Sequence, residues 1–439
     1  MRKTGFVERT MTAMQTIPEA GTPDLAMPRF EDGAINLREL FRRMAEDIVN
    51  GVMAAEADQM CEAMGNSRNG YRDRKLETCV GTLALRVPKL RSGSFFPEDV
   101  IERYQRVDRA VVAAVAEMYR TGTSTRKVQA VAEKLGIARL SKDQVSAICG
   151  SLDADAAELL GRDLSGLDMP YVWLDATYVR CRRDGRVAST AVVTAIGCDS
   201  EGSRHVLGLG VVDTESYDSW LSFLRKVRGR GVSGVRLVTS DAHEGLRRAI
   251  SEEFQGAAWQ RCVVHLVRDC CREARSRQLR KRVARIASAA FRLRDPAVVR
   301  AAYHVACEML AECCPGAARV MEEAEPDALA YLDFPPSHWK RLRTNNLQER
   351  TNREIKRRSR VVQVFPSEKS LERLVGAVLC DIDEEWGRRR YFSEDKMAEL
   401  YADKPAPEPL GNEAESELRA IAKRAIEADL RLADEMEAA

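Results

Sequence analysis

The sequence predicts an α/β protein: a sheet-forming core interrupted by an all-helical stretch and preceded by a mostly helical region. Three observations lead there. Between Tyr171 and His265, short runs alternate apolar and polar residues at period two and then give way to helical segments in turn. From about His265 to Asp333 that alternation stops, and Arg- and Ala-rich helical spacing replaces it. Before Leu152 the helical period dominates, punctuated by Gly and Ser where helices should end and begin. At 439 residues, 45% hydrophobic and 31% charged, the chain has the length of about three domains and is not mostly disordered.

Residues 1–35 are punctuated by Pro and Gly and read as a flexible arm. They hold acidic residues and no apolar core segment, so a signal peptide is not expected. No run approaches the roughly 18 apolar residues that span a bilayer, so a cytoplasmic protein without a membrane partner is expected. The twelve cysteines then read as reduced thiols, and the absence of any C-x-x-C argues against a zinc ribbon.

Residues 36–105 open with apolar positions at helical spacing from Ile35 to Met64, read as two short amphipathic helices. Alternation over Thr82-Leu83-Ala84-Leu85-Arg86-Val87 then predicts a strand before Pro88. Its basic neighbours suit phosphate contact or a plain β-ribbon equally. Residues 106–165 predict three helices: Val107 to Gly122, one capped by Ser124, and one from Lys142 capped by Ser141. A helix-turn-helix would put Lys142, Gln144 and Ser146 in a DNA major groove, and an ordinary three-helix bundle fits the pattern as well.

Residues 166–265 form the first part of the core. Tyr171–Arg182 and Val187–Cys198 are strands joined at Asp184-Gly185, and Arg204–Asp213 is a third. A helix capped near Ser216, a strand over Val235–Asp241, another helix and a fifth strand near Trp259 follow. A β-meander continued by βαβ units is most economically an RNase H-like layer. Residues 266–335 form the helical insertion. Residues 336–402 return to the core with a helix over Thr344–Arg360, and 403–439 make an acidic helical tail.

The net charge of +2 conceals an uneven distribution. Arg261–Arg300 carries 12 basic residues against 3 acids, and Trp339–Arg360 carries 9 against 2. Either block alone reads as a solvated helix face. Both flank candidate chemistry, which favours a polyanionic partner.

That chemistry is a set of three acids. Asp175 lies mid-strand among Tyr171, Trp173 and Thr177, where a carboxylate is costly unless paired or metal-bound. Asp241 ends a strand, where open α/β sheets bind ligands, and lies beside Asp175 if the two strands pair. Glu349 shares a helix side with Asn345, Asn352, Lys356 and Arg360, with Arg353 beside it, whereas Glu354 is turned away. Three such acids can hold two Mg²⁺ ions about 3.5–4 Å apart for phosphodiester displacement. Each also has an ordinary use: a turn cap, a helix cap, and a pair with Arg353. Trp259 and Trp339 suit either core burial or stacking on a flipped base.

Together these residues resemble the Mutator-like DDE transposases of bacterial insertion sequences. The resemblance spans nearly the whole chain: Leu174-Asp175-Ala176, Ser240 to Leu246, Trp259 to His265, Thr344 to Arg358, and upstream Arg68 to Tyr71 and Gly122 to Arg126. It implies that Asp175, Asp241 and Glu349 are the catalytic and metal-binding acids, using Mg²⁺ with Mn²⁺ as a substitute. It implies binding of terminal inverted repeats and target DNA, strand cleavage and strand transfer, in at least a dimer and in association with the nucleoid. Arg126, Lys142, Gln144, Arg350, Arg353, Lys356, Arg357, Arg358 and Arg360 are the candidate DNA contacts. Cys262 and His265 match the family's C-x2-H motif, with a structural role preferred to zinc, and His243 is a candidate phosphate contact. A nuclease or resolvase of the same fold, and a domesticated DNA-binding repressor, are the alternatives.

Overall fold

The computed structural model describes residues 27–97, 109–123, 125–134, 148, 150–402 and 412–438. They fall into two compact units, one from residues 1–112 and 130–140, the other from 113–129 and 141–439.

In the first unit, α1 (Leu37–Met64) is one helix of 28 residues where the sequence suggested two. Gly51 alone does not break it, because a mid-helix glycine costs only about 1 kcal/mol relative to alanine. Nearer the start of the helix, Arg42 ties successive turns together by pairing with Glu39 at 2.8 Å and Glu46 at 2.6 Å. Asn36 caps the start and Gly65, at φ +59°, ends it. Met53, Ala57 and Cys61 are buried with Leu83, Leu85 and Val87 of an antiparallel ribbon made by β1 (Arg68–Thr78) and β2 (Gly81–Leu90). The ribbon extends through Pro88, which a two-stranded sheet tolerates because each strand has a free edge.

Of the three helices expected over 106–165, α2 (Arg109–Arg120) and α3 (Thr125–Lys134) form, and Gly122 turns the chain between them at φ +93°. The caps Ser124 and Ser141 and the groove-facing candidates Lys142, Gln144 and Ser146 lie outside the described residues, as does the side chain of Arg126. A further helix, α4 (Ser151–Gly161), leads into the core.

The core is a mixed five-stranded sheet in the order β5-β4-β3-β6-β7. Its strands are β3 (Tyr171–Arg183), β4 (Arg186–Cys198), β5 (Arg204–Val212), β6 (Leu237–Ser240) and β7 (Ala258–Arg261). β3, β4 and β5 pair antiparallel, with positive φ at Asp184 and Gly185 turning the first hairpin, while β6 and β7 add in parallel. The parallel additions need crossovers, supplied by α5 (Tyr217–Gly229), capped by Ser216, and α6 (Glu244–Glu253). One sheet face buries Val172, Leu174, Val193 and Ala195 against Trp220, Leu224, Leu246 and Ile250.

The insertion starts at Val263 with α7 (Val263–Arg272) and continues through α8 (Arg277–Ala289), α9 (Pro296–Cys313) and α10 (Pro315–Ala328). No strand occurs among its described residues. After the short α11 (Trp339–Leu342), α12 (Asn346–Ser359) and α13 (Glu368–Gly387) lie against the sheet, followed by α14 (Glu394–Tyr401). The acidic tail is not a free helix. α15 (Asn412–Ala438) packs on α8 and α9, burying Ala422 and Ile426, and the two Asp429 oxygens accept from Arg292 Nη1 at 2.7 and 2.8 Å. No described helix is long and apolar enough to cross a membrane.

Where the chain returns from the insertion, buried His338 bridges two elements. Its Nδ1 lies 2.6 Å from the Tyr171 hydroxyl and its Nε2 lies 2.9 Å from the Lys396 carbonyl. A carbonyl only accepts, so Nε2 carries the proton and Nδ1 receives the phenol. Burial holds the ring neutral, with its pKa pulled down to about 4. An unfolded histidine takes its proton near pH 6.5, so the unfolded state binds more protons between pH 6.5 and 4, and stability falls as pH drops through that window. The loss at pH 5 from this residue is about 2 kcal/mol. Denaturant titrations at pH 8 and pH 5 should show His338→Gln narrowing the gap by about that amount; an unchanged gap would exclude the assignment.

Candidate active site

Asp175 sits in β3, the middle strand of the sheet. The parallel register with β6 runs from Tyr171 opposite Leu237 to Trp173 opposite Thr239. Two residues further along both chains, Asp175, still inside β3, comes beside Asp241, the first residue past the end of β6. Asp175 is largely buried. Its Oδ1 accepts from its neighbour Ala176 N–H at 2.9 Å, and its Oδ2 accepts from Asn352 Nδ2 at 2.6 Å. Burial, and then the negative charges of Asp241 and Glu215, push its pKa up to about 7. Without a cation, a carboxylate in this position takes up a proton far above the usual carboxylate range.

Asp241 faces the start of α7. Its Oδ1 lies 2.5 Å from His265 Nδ1, off the line of a good hydrogen bond, so each of these buried atoms lacks a well-aligned partner. The Cys262 thiol converges on the same point, with all three donor atoms within 4.8 Å of one another. Burial lowers the His265 pKa, but Asp241 and Cys262 outweigh it and lift it to about 10. The other ring nitrogen lies 2.9 Å from Arg268 Nη1. A guanidinium cannot accept a hydrogen bond, so that contact requires an unprotonated Nε2 and a neutral ring protonated on Nδ1. The raised pKa and this contact therefore describe competing states. The direction set by Asp241 is upward, and Arg268 opposes it. Arg268 Nη2 also reaches Glu349 Oε1 at 3.5 Å, a half-exposed and weak pair. Asp241, His265, Arg268 and Glu349 thus form one chain of contacts.

Glu349 reaches this place because the returning chain is stitched to the strand ends. The carbonyls of Arg341, Leu342 and Arg343 accept from Trp173 Nε1, Thr239 Oγ1 and Val263 N at 3.3, 2.8 and 2.9 Å. Next, α12 docks by three amides. Asn345 donates to the Leu174 carbonyl at 2.9 Å. Gln348 donates to the carbonyls of Trp173 and Thr194 at 2.7 and 3.1 Å and accepts from Thr194 Oγ1 at 2.9 Å. Asn352 holds Asp175. Positions 345, 348 and 352 share one helix side, with Glu349 at its margin. Gln348 and Arg268 were missed as site residues. Gln348 was detectable in principle, because a third amide at this spacing is unusual on a helix otherwise rich in charge. Glu215 was missed because it lies in a loop with no pattern.

The remaining candidates divide. Arg350, Arg353, Lys356 and Arg360 are exposed on α12. Arg357 is exposed but pairs with Glu354 at 2.9 Å. Arg358 does not fit a DNA-contact role in this conformation: it is committed to the Arg120 carbonyl at 2.7 Å and to Asp381 at 2.6 Å. His243 caps α6, its Nδ1 accepting from Leu246 N at 3.2 Å. Trp339 is buried, with its indole donating to the Phe334 carbonyl at 2.8 Å, so it has no free face for a base. Trp259 is half-buried; it donates to Ser240 Oγ at 2.9 Å, and Arg247 lies over its ring.

The chain matches the family model described as transposase, Mutator family, over residues 25–389. It is 37% identical over 361 residues to the transposase for insertion sequence element IS1081 of Mycobacterium tuberculosis, covering 80% of this chain and 87% of that one. It is 35% identical over 371 residues to the transposase for insertion sequence element IS256 in transposon Tn4001 of Staphylococcus aureus, covering 82% and 93%. The Drosophila P element transposase strand transfer complex overlays too loosely to bear on the fold, with a TM-score of 0.26 and 12% identity over 67% of this chain and 80% of that one. On the family match and the extent of these identities, the chain belongs to the Mutator family of transposases.

Proposed function

We propose that this transposase cuts and joins DNA through a DDE triad of Asp175, Asp241 and Glu349 set in an RNase H-like core. The observation that carries the reading is the pair of neighbouring acids, Asp175 inside β3 and Asp241 just past the end of β6. Asp175 is a largely buried carboxylate pushed up to about 7 by burial and by Asp241, and Asp241 leaves one buried oxygen without a well-aligned partner. Two acids so placed repel each other and are reconciled by a divalent cation between them. The donor set is all oxygen once Glu349 releases Arg268, which suits Mg²⁺ or Mn²⁺ in a two-ion site.

Such ions, when bound, supply a deprotonated nucleophile and stabilise the leaving oxygen. The residues around them orient and hold. Asn352 fixes one Asp175 oxygen, Gln348 and Asn345 keep α12 seated, and Arg268 rests against the Glu349 carboxylate, which would have to be freed to hold an ion. The exposed Arg350, Arg353, Lys356 and Arg360 would position phosphates at the mouth of the site. Terminal-repeat recognition falls to the amino-terminal region with its helix-turn-helix, and synapsis of two ends needs at least a dimer.

The test is a strand-transfer assay with Mg²⁺ and a labelled duplex carrying the element's terminal repeat. Joined products should form with the wild type and disappear in Asp175→Ala, Asp241→Ala and Glu349→Ala while DNA binding persists. Cleavage without joining would point to a nuclease. Activity surviving all three substitutions would reject the triad.

A further inference from the structure

Cys262 and His265 have no part in the proposed two-ion chemistry, yet they bring a thiol and an imidazole to the same carboxylate that chemistry needs. Their backbone explains the convergence. Cys262 is the N-cap residue of α7, its amide donating to the Ser240 carbonyl at 2.9 Å, so the end of β7 runs directly beside the end of β6. His265, three residues on, then points from the first turn of α7 toward Asp241. The three donor atoms fall within 4.8 Å of one another. Tetrahedral zinc, at ordinary bond lengths to nitrogen, oxygen and sulfur, separates its ligand atoms by about 3.3–3.6 Å. The present 2.5 Å between Asp241 and His265 is closer than that, and it is not a well-aligned hydrogen bond, so a cation between them would relieve a contact rather than break one.

The surroundings are those of a soft-metal ligand set. The Cys262 side chain is fully buried, and the backbone N–H of Asn345 donates to its sulfur at 3.3 Å, the contact that steadies a metal-bound thiolate. A metal on Nδ1 would leave the ring proton on Nε2, so Arg268, which now donates to that nitrogen at 2.9 Å, would have to swing away on binding. Sulfur and imidazole donors select Zn²⁺ or Cd²⁺ and discriminate against Mg²⁺.

We propose that Asp241, Cys262 and His265 form a three-ligand site for a soft divalent cation, Zn²⁺ or Cd²⁺, with its fourth position open. Because Asp241 belongs to both ligand sets, occupation by zinc withdraws it from the Mg²⁺ site and switches off DNA cleavage. Binding rests on the donor atoms alone; the inhibitory consequence rests on the function proposed above.

Zinc titration by calorimetry, on the full chain under reducing conditions, tests the site. The wild type should bind one equivalent that both Cys262→Ser and His265→Gln lose. Each should weaken it by roughly 100-fold or more, since losing a direct ligand exceeds the 10–100-fold seen for outer-shell partners. With Cd²⁺, the ultraviolet thiolate charge-transfer band should shrink by one thiolate's worth in Cys262→Ser. Thermal melts of both variants check that they fold, and His265→Gln, which leaves the buried thiol in place, keeps the test open if Cys262→Ser does not. Equal zinc stoichiometry and affinity in wild type and a folded variant would overturn the site. In the cleavage assay, zinc added to Mg²⁺ reactions should inhibit the wild type, and the inhibition should move to roughly 100-fold higher zinc in His265→Gln. Inhibition at unchanged zinc concentrations would overturn the switch. A wild type that binds zinc through these residues but cuts no DNA with Mg²⁺ would count against the proposed function and leave the site standing.

Discussion

Asp175→Asn should abolish DNA cleavage and joining while making the metal-free protein more stable. The two effects have one cause. The buried carboxylate is held beside Asp241, and burial and that charge together lift its pKa to about 7, so the folded protein bears a cost at neutral pH that a neutral amide does not. The substitution is close to isosteric. Ala176 N–H can still donate to the side-chain oxygen, and the buried, unpartnered Asn352 Oδ1 can turn to accept from the new amide. If the carboxylate binds the ions as proposed, removing it should cost several kcal/mol of transition-state stabilisation, or on the order of 10³-fold in rate. Thermal melts without divalent ions, beside cleavage rates in Mg²⁺, read both effects. A variant that loses activity and also melts lower would mean Asp175 is a structural residue. One that keeps activity would remove it from the catalytic set.

Gln348→Leu should be the most destabilising single change on α12. Leucine fills similar space but leaves the carbonyls of Trp173 and Thr194 and the hydroxyl of Thr194 without their partner in a buried setting. Each unsatisfied buried group costs about 1–3 kcal/mol, and for three that share one partner a total of about 3–5 kcal/mol is expected. Because the same helix carries Glu349, activity should fall in parallel with stability. Denaturant unfolding measures the first and the strand-transfer assay the second. A loss of less than about 1 kcal/mol would show that α12 is seated mainly by Leu347 and Ile355.

Much of this was legible in the residues. The strands from Tyr171 to Arg261, the two crossover helices and the Ser216 cap follow the sequence pattern closely, because a half-buried strand and a capped helix each leave a local signature. Residues 37–64 form one helix where the pattern suggested two, since a mid-helix glycine weakens the pattern without breaking the helix. Arg358 was grouped with its neighbours as a DNA contact because basic residues in a run look alike. Only packing reveals that one of them turns inward to Asp381.

The sequence by itself determined the helix that carries Glu349 and the basic run beyond it, and it singled out the three candidate acids, because residue type and spacing are local properties. The tertiary structure decided what those residues meet. β6 pairs in parallel with β3, which sets Asp241 beside Asp175 across 65 intervening residues. The carbonyls of Arg341 to Arg343 return the chain to the strand ends after the helical insertion, and Gln348 locks it there. It also decided that Cys262 and His265 face Asp241. These are contacts between segments far apart in the chain, fixed by sheet register and helix docking, and no local periodicity encodes either.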